Sequence, residues 1–174
     1  MANLGTLFDD LAKYSIDTNV ILSFLREDEA ERYPMDVFKP QWDFLQKAIA
    51  DGRVVAARRV ETELAKWQKT IPAMKGWLSD NKHMFCDIAT DEQLVGAKRI
   101  VNAYPAYGSN ENYLGDLEVM VLALSRQLTV VSLELKAQQH SVKRPKIPNV
   151  CEQFGIGCAN LAGFLRAEGF TSDN

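Results

Sequence analysis

Three short apolar stretches, KYSID (13–17), RVVAA (53–57) and LTVVSLE (128–134), are separated by segments with helical periodicity. Runs this short and rich in aliphatic and β-branched residues are strands buried in a sheet. Strands that alternate with helices restrict the chain to an α/β domain with a mainly parallel central sheet.

The rest of the sequence fits between these strands. TNVILSFLRE continues from the first as a helix, and DEAERYPMDVFKP is a charged, Pro-containing connection. QWDFLQKAIADG is a helix with Trp42, Leu45 and Ile49 on one stripe and Gly52 just past its end. RRVETELAKWQK is helical with a stripe of Val60, Leu64 and Trp67, PAMKGWLSDN adds a further turn or two, and HMFCDIA is a strand or an extended connection. TDEQLVGAKRIVNAY opens with Thr90 and an acidic first turn, a good helix start. PAYGSNENYLG has the composition of a loop, and from Asp116 DLEVMVLALSRQ is an apolar helix. The final segment, VKRPKIPNVCEQFGIGCANLAGFLRAEG, is read as a short extended piece, a tight turn and an amphipathic helix. With no repeat or linker, the 174 residues form one domain with its core at about 13–168.

With 20 Lys and Arg against 23 Asp and Glu, the chain lacks the basic footprint of a simple electrostatic nucleic-acid binder. That balance is compatible with an enzyme that reaches phosphates through metal ions, since such a site is itself acidic. Three cysteines, Cys86, Cys151 and Cys158, argue for a reducing compartment. His83 and Cys86 are spaced as two zinc ligands, but Cys151 and Cys158 lack a CxxC spacing, and the expectation is three buried or half-buried thiols. The N-terminus has no signal-like apolar core, and no apolar run approaches the roughly 20 residues that span a bilayer. A cytoplasmic protein without membrane contact is expected.

In a parallel sheet, side chains just beyond the carboxyl ends of the strands converge on one crevice. Asp17 follows YSI directly, and Ser132 and Glu134 follow LTVV in the same way. Asp116 opens the helix that runs into that last strand, and Glu63 lies about one helical turn beyond RVVAA. Four carboxylates distant in sequence can therefore face one point. Packed together, they would repel and raise one another's pKa unless divalent cations neutralised them. Mg²⁺ and Mn²⁺ prefer such oxygen ligands, and one or two of these ions suit phosphodiester hydrolysis. Asn19 and Ser132 stand where they can hold the acids or a bound water. Each residue also has a plainer reading: Asp17, Thr18 and Asn19 suit a helix start, Asp116 an N-cap, Glu63 a pair with Lys66, and Glu134 a surface loop.

SIDTNVILSFL, RRVETEL and GDLEVMVLALSRQLTVVSLE, in this order and spacing, resemble the motifs of PIN domains, a family of α/β nucleases that includes VapC-type toxins. KIPNVCEQFGI resembles a longer PIN-like subgroup. The resemblance implies a three-layer α/β/α sandwich and places the family's acids on Asp17, Glu63, Asp116 and Glu134, with Ser132 at its hydroxyl position. S-x-E at Ser132 and Glu134 departs from the usual T-x-D. Glu63 is preferred to Glu61 because it precedes Leu64; on a helix the two point about 200° apart. Glu118 follows Asp116 but should face elsewhere.

The implied activity is Mg²⁺- or Mn²⁺-dependent cleavage of single-stranded or looped RNA. Arg58, Arg59 and Lys66, and Lys136, Lys143, Arg144 and Lys146 beyond Glu134, are the candidate phosphate contacts. A toxin would have a cognate antitoxin covering the crevice, and the family implies a homodimer. The alternatives are a nuclease acting on DNA or another phosphoester, and a catalytically silent PIN-like module that binds protein.

Overall fold

A computed structural model describes residues 11–26, 28 and 30–172. Strand β1 (Tyr14–Ile16) passes through a single residue into α1 (Thr18–Leu25). Helix α2 (Lys39–Ala50) buries Trp42, Leu45, Ala48 and Ile49, and Gly52, at φ 77°, turns the chain into β2 (Val54–Ala57). There follow α3 (Arg58–Ala65), α4 (Met74–Asp80), β3 (Phe85–Cys86), α5 (Asp91–Ala103) and the one-turn α6 (Ala106–Ser109). The chain closes with α7 (Leu114–Arg126), β4 (Thr129–Val131), α8 (Ile147–Phe154), β5 (Cys158–Ala159) and α9 (Leu161–Ala167).

The five strands form one sheet in the order β3-β2-β1-β4-β5, and every neighbouring pair is parallel. Tyr14 is opposite Val54 on one side and Thr129 on the other, so β1 is the central strand. Helices cover both faces in a three-layer α/β/α sandwich. Accordingly β1 and β2 show no alternation of buried and exposed positions and are buried at every residue. Helix α7 lies across the sheet, anchored where Ser15 Oγ donates to the Val119 carbonyl at 2.9 Å.

From β1 the chain builds outward through β2 to β3, then returns to place β4 and β5 on the other side. The crossovers leaving β1 and β4 therefore diverge, and a crevice opens between the carboxyl ends of those two strands. Asp17 and Ser132 are the residues that step into it.

Four boundaries differ from the sequence reading. PAYGSNENYLG is structured: fully buried Tyr107 draws α6 onto the core, and the Asn110 side chain caps a 3-10 turn at Glu111–Tyr113. Helix α7 thus begins at Leu114, and Asp116 is its third residue, not its N-cap. Residues 147–154 are helical where an extended piece was expected; Pro148 falls in the first turn, where no intrahelical N–H is needed. Helix α3 ends at Ala65, and Trp67 follows it in a tightened turn, its N–H bonded to the Leu64 carbonyl at 3.0 Å. Among the described residues, no helix is long and apolar enough to cross a membrane.

Candidate active site at the carboxyl end of the sheet

Asp17 has the backbone geometry of an N-cap, φ −85° and ψ 150°, but its side chain does not cap α1. It is held by Ser132, whose hydroxyl donates to Asp17 Oδ2 at 2.8 Å. The same hydroxyl accepts from Asn19 Nδ2 at 3.2 Å and from the Glu134 N–H at 3.1 Å, so its hydrogen-bonding capacity is filled. Asn19 Oδ1 accepts in turn from the Leu133 N–H at 3.0 Å. Asp17, Asn19 and Ser132 thereby lock the end of β1 to the end of β4. Thr18, the third of the residues suited to a helix start, donates its hydroxyl to Glu63 Oε2. None of the three caps the helix.

Asp17, Glu63 and Asp116 line one cavity of about 400 Å³, together with Thr18, Asn19, Leu22, Arg59, Lys66, Trp67, Glu111 and Asn112. Glu61, the alternative in α3, pairs with Arg58 at 2.7 Å and faces a different recess. Glu118 turns aside to Arg59, accepting from its backbone N–H at 3.3 Å.

Glu134 is nearby but differently employed. It lines a neighbouring recess of about 430 Å³ with Ser132, Arg32, Lys136 and Cys158. Its Oε2 accepts the Ile147 N–H at 2.8 Å, satisfying an open donor at the start of α8, and its Oε1 lies 3.3 Å from Lys146 Nζ. The loop between Glu134 and α8 is stapled by Asn149, whose side chain both accepts from the Ala137 N–H and donates to the Ala137 carbonyl.

The electrostatics follow from burial and crowding. Burial first, then the charges of Glu134 and Glu63, push Asp17 up to about 7, against the opposing hydrogen bonds from Ser132 and the Thr18 N–H. Burial first, then Asp17, Glu134 and Glu63, push Asp116 up to about 8, with Lys146 pulling the other way. Among the described residues, neither acid has a salt-bridge partner. The Tyr107 hydroxyl is buried without a hydrogen-bond partner among those residues, and Asp116 is the charge that bears most on it.

Of the proposed phosphate contacts, Arg59 and Lys66 line the cavity and Lys146 stands beside it. Arg58 is tied to Glu61, Asp87 and the Phe85 carbonyl, and Lys136 pairs with Glu152 at 2.8 Å. Lys143 and Arg144 are exposed in the loop before α8. The thiol expectation fails at Cys158, which is exposed because β5 is an edge strand; Cys86 is half-buried and Cys151 buried.

Gly115 was missing from the sequence reading. A Cβ there would stand 2.6 Å from Glu63 Cδ, so only glycine lets the Glu63 carboxyl group rest against the first turn of α7. No local signal marked it: as the last residue of a segment with loop composition, it read as an ordinary turn glycine.

A family model describing a domain of unknown function, DUF4411, matches residues 14–172, almost the whole chain. The protein belongs to the DUF4411 family. A comparison with curated proteins found no match. The DUF4411 match begins at the first residue of β1 and runs past α9, so the crevice and every acid discussed above lie within the family's domain.

The groups at the DUF4411 crevice that could ligate a metal offer oxygen: the carboxylates of Asp17, Glu63 and Asp116, the Thr18 and Ser132 hydroxyls, and the Asn19 amide. Such a donor set suits a hard cation, Mg²⁺ or Mn²⁺, and would not select a soft one. Among the described residues, no three His, Cys, Asp or Glu side chains stand close enough to hold an ion as they are. Glu63 is engaged by Thr18 and Glu134 by α8, while Asp17 keeps Oδ1 clear of the Ser132 bond.

Proposed function

We propose that this protein is a Mg²⁺- or Mn²⁺-dependent endoribonuclease of PIN type, hydrolysing phosphodiester bonds in single-stranded or looped RNA. The observation that carries the reading is the cavity shared by Asp17, Glu63 and Asp116, where a buried carboxylate just past β1 meets half-buried ones from α3 and α7, without ion-pair partners among the described residues. A protein does not gather such charges for stability, because each one raises the cost of the next. Carboxylates pushed toward neutral pH at a cleft are a mark of functional sites.

Asp17, Asp116 and Glu63 are the residues that would hold the ions, with Glu134 at the margin. The bound metal supplies charge neutralisation, an activated water and stabilisation of the leaving oxygen. The chain's own work is orientation. Ser132 and Asn19 fix Asp17, Thr18 and Gly115 fix Glu63, and Arg59 and Lys66 on the wall meet the backbone phosphates of the strand. The reading includes a cytoplasmic location, in keeping with the sparse cysteines. The resemblance to VapC-type toxins extends the reading to a toxin restrained by a cognate antitoxin laid over this crevice, and to a homodimer.

The test is cleavage of labelled single-stranded RNA and DNA by the purified chain, stripped of any bound partner, in Mg²⁺, Mn²⁺ or EDTA. RNA should be cut with either metal and left intact in EDTA. Cleavage of DNA alone removes the substrate assignment. No cleavage of either, together with no metal binding by calorimetry, leaves the silent protein-binding module.

A further inference from the structure

Trp67 borders two cavities at once: the acidic one and a second of about 720 Å³ walled by Leu25, Met35, Ile71 and Pro72. The other tryptophans belong to the core, Trp42 at 6% and Trp77 at 9% exposure. Trp67 is only half-buried, fixed in the turn after α3, where its carbonyl accepts from the Thr70 and Ile71 N–H groups at 3.0 and 2.8 Å.

The Arg26 guanidinium lies over the Trp67 ring, 4.6 Å from its centroid. Its two terminal nitrogens pair with Glu31 at 3.1 Å and Asp28 at 3.3 Å. Arg26 is thus neutralised at its edges, which makes it a poor phosphate contact but a fixed flat surface. The recess offers an indole ring and a guanidinium plane, apolar walls and little net charge. Through Trp67 it borders the cavity that Arg59 and Lys66 line.

A ligand suited to this surface is flat, aromatic and uncharged, and is joined to a phosphate in the next cavity. We propose that Trp67 and Arg26 form a stacking subsite for an unstacked nucleobase of the RNA strand whose phosphate enters the acidic cavity. The proposal rests on the ribonuclease reading and adds to it that the substrate is recognised through a base splayed out of its stack. Duplex RNA, whose bases stay stacked, is excluded from the subsite; aromatic rings and guanidinium planes are the usual platforms for bases freed in this way.

The experiment measures binding by fluorescence anisotropy in Mg²⁺, using the full chain carrying Asp17→Asn so that the RNA is not cut. The probes are a short labelled single-stranded RNA and the same strand with abasic positions. Trp67→Ala should weaken binding of the intact strand about tenfold and leave the abasic strand unaffected. Trp67→Phe should keep most of the affinity. Equal binding of the intact strand by the Trp67→Ala variant and its parent overturns the subsite, as does an equal loss on both strands. Cleavage by the unsubstituted chain, run in parallel, separates the two ideas. If RNA is cut but Trp67→Ala binds normally, the subsite alone falls; if RNA is neither cut nor bound, the ribonuclease reading falls with it.

Discussion

Strand β1 has a buried carboxylate at each end, and the chain treats the two in opposite ways. At the amino end, Glu168 accepts from the Tyr14 hydroxyl at 2.9 Å, pairs with Arg53 and lies 3.6 Å from Lys13 Nζ. Burial alone would raise its pKa, yet the Tyr14 hydrogen bond and the Arg53 and Lys13 charges hold it below the ordinary carboxylate range. At the carboxyl end, Asp17 and Asp116 are pushed up to about 7 and about 8. The Ser132 hydroxyl orients Asp17 without neutralising it, and Asp116 has no salt-bridge partner among the described residues. One acid is compensated by the fold and the others are not, and it is on this contrast that the proposed metal site rests. Each end of β1 can be perturbed separately, and the responses should differ in kind.

The largest effect expected is on cleavage. Asp17→Asn keeps the size of the side chain and an acceptor for the Ser132 hydroxyl, but removes a charge. Cleavage should fall at least about 10³-fold, equivalent to about 4 kcal/mol of barrier. In the metal-free protein at pH 8 the same change should raise Tm by about 5 °C, since it relieves repulsion. A fall in Tm would mean that Asp17 is a structural residue and that the two ends of β1 are alike.

Glu168→Gln should do the reverse. It leaves Arg53 with Asp51, 3.1 Å away, as its remaining acid and weakens the Tyr14 and Arg53 bonds at the sheet's amino end, which should cost about 2 kcal/mol, seen as a Tm lower by about 6 °C. Cleavage per folded molecule should stay at the parent level, because Glu168 lies at the opposite end of the strand from the acids. Thermal melts paired with active-site titration would check this. A loss of turnover beyond the unfolded fraction would break the separation between the ends.

The pH dependence of stability sharpens the comparison further. The folded pKa values of Asp17 and Asp116 lie above the unfolded value near 3.8, so between about pH 4 and 8 the native state binds more protons than the unfolded one. Their contribution therefore improves as pH falls from 8 toward 4. Glu168, with a depressed pKa, contributes stability above the unfolded value that is lost as pH falls through its folded pKa. In metal-free protein, Tm should rise on acidification from pH 8, and Asp17→Asn should flatten that rise. Saturating Mn²⁺ should flatten it too, by stabilising the ionised site at high pH. A slope unchanged by either would show that these acids do not titrate where their surroundings place them.

The contrast between the two ends was only half legible in the sequence. Strand–helix alternation follows from local patterning, and Asp17 could be placed because it directly follows the only residues that can form β1. Glu63 was preferred to Glu61 because it precedes Leu64 as in the motif it resembles; helical phase adds only that the two acids face different directions. Glu168 was invisible as a partner of Arg53 and Tyr14, because their contact spans more than a hundred residues and no local pattern records it. The hidden helix α6 has the same cause: PAYGSNENYLG has loop composition, and what folds it is the burial of Tyr107 against distant elements. The Glu134 side chain could be read as a ligand or as surface, but not as the acceptor for α8, since that helix was itself misread.

The subtlest test lies at Gly115. Its place near the start of α7 leaves it backbone room for alanine, which has the higher helix propensity, so the fold itself should accept Gly115→Ala without loss. What the added methyl cannot share is the space already held by the Glu63 carboxyl group. Glu63 must swing away, its bond from Thr18 must break or bend, and Asp17 and Asp116 lose one of the charges that raise their pKa. Tm in metal-free protein should therefore hold or rise slightly, while cleavage at saturating metal should drop about tenfold, roughly 1.4 kcal/mol of barrier. Thr18→Val, which removes the hydroxyl but adds nothing to the Gly115 side, should give a smaller loss in the same direction. If Gly115→Ala lowers stability and leaves turnover intact, the close approach of α3 and α7 serves packing alone, and Glu63 drops out of the acidic group.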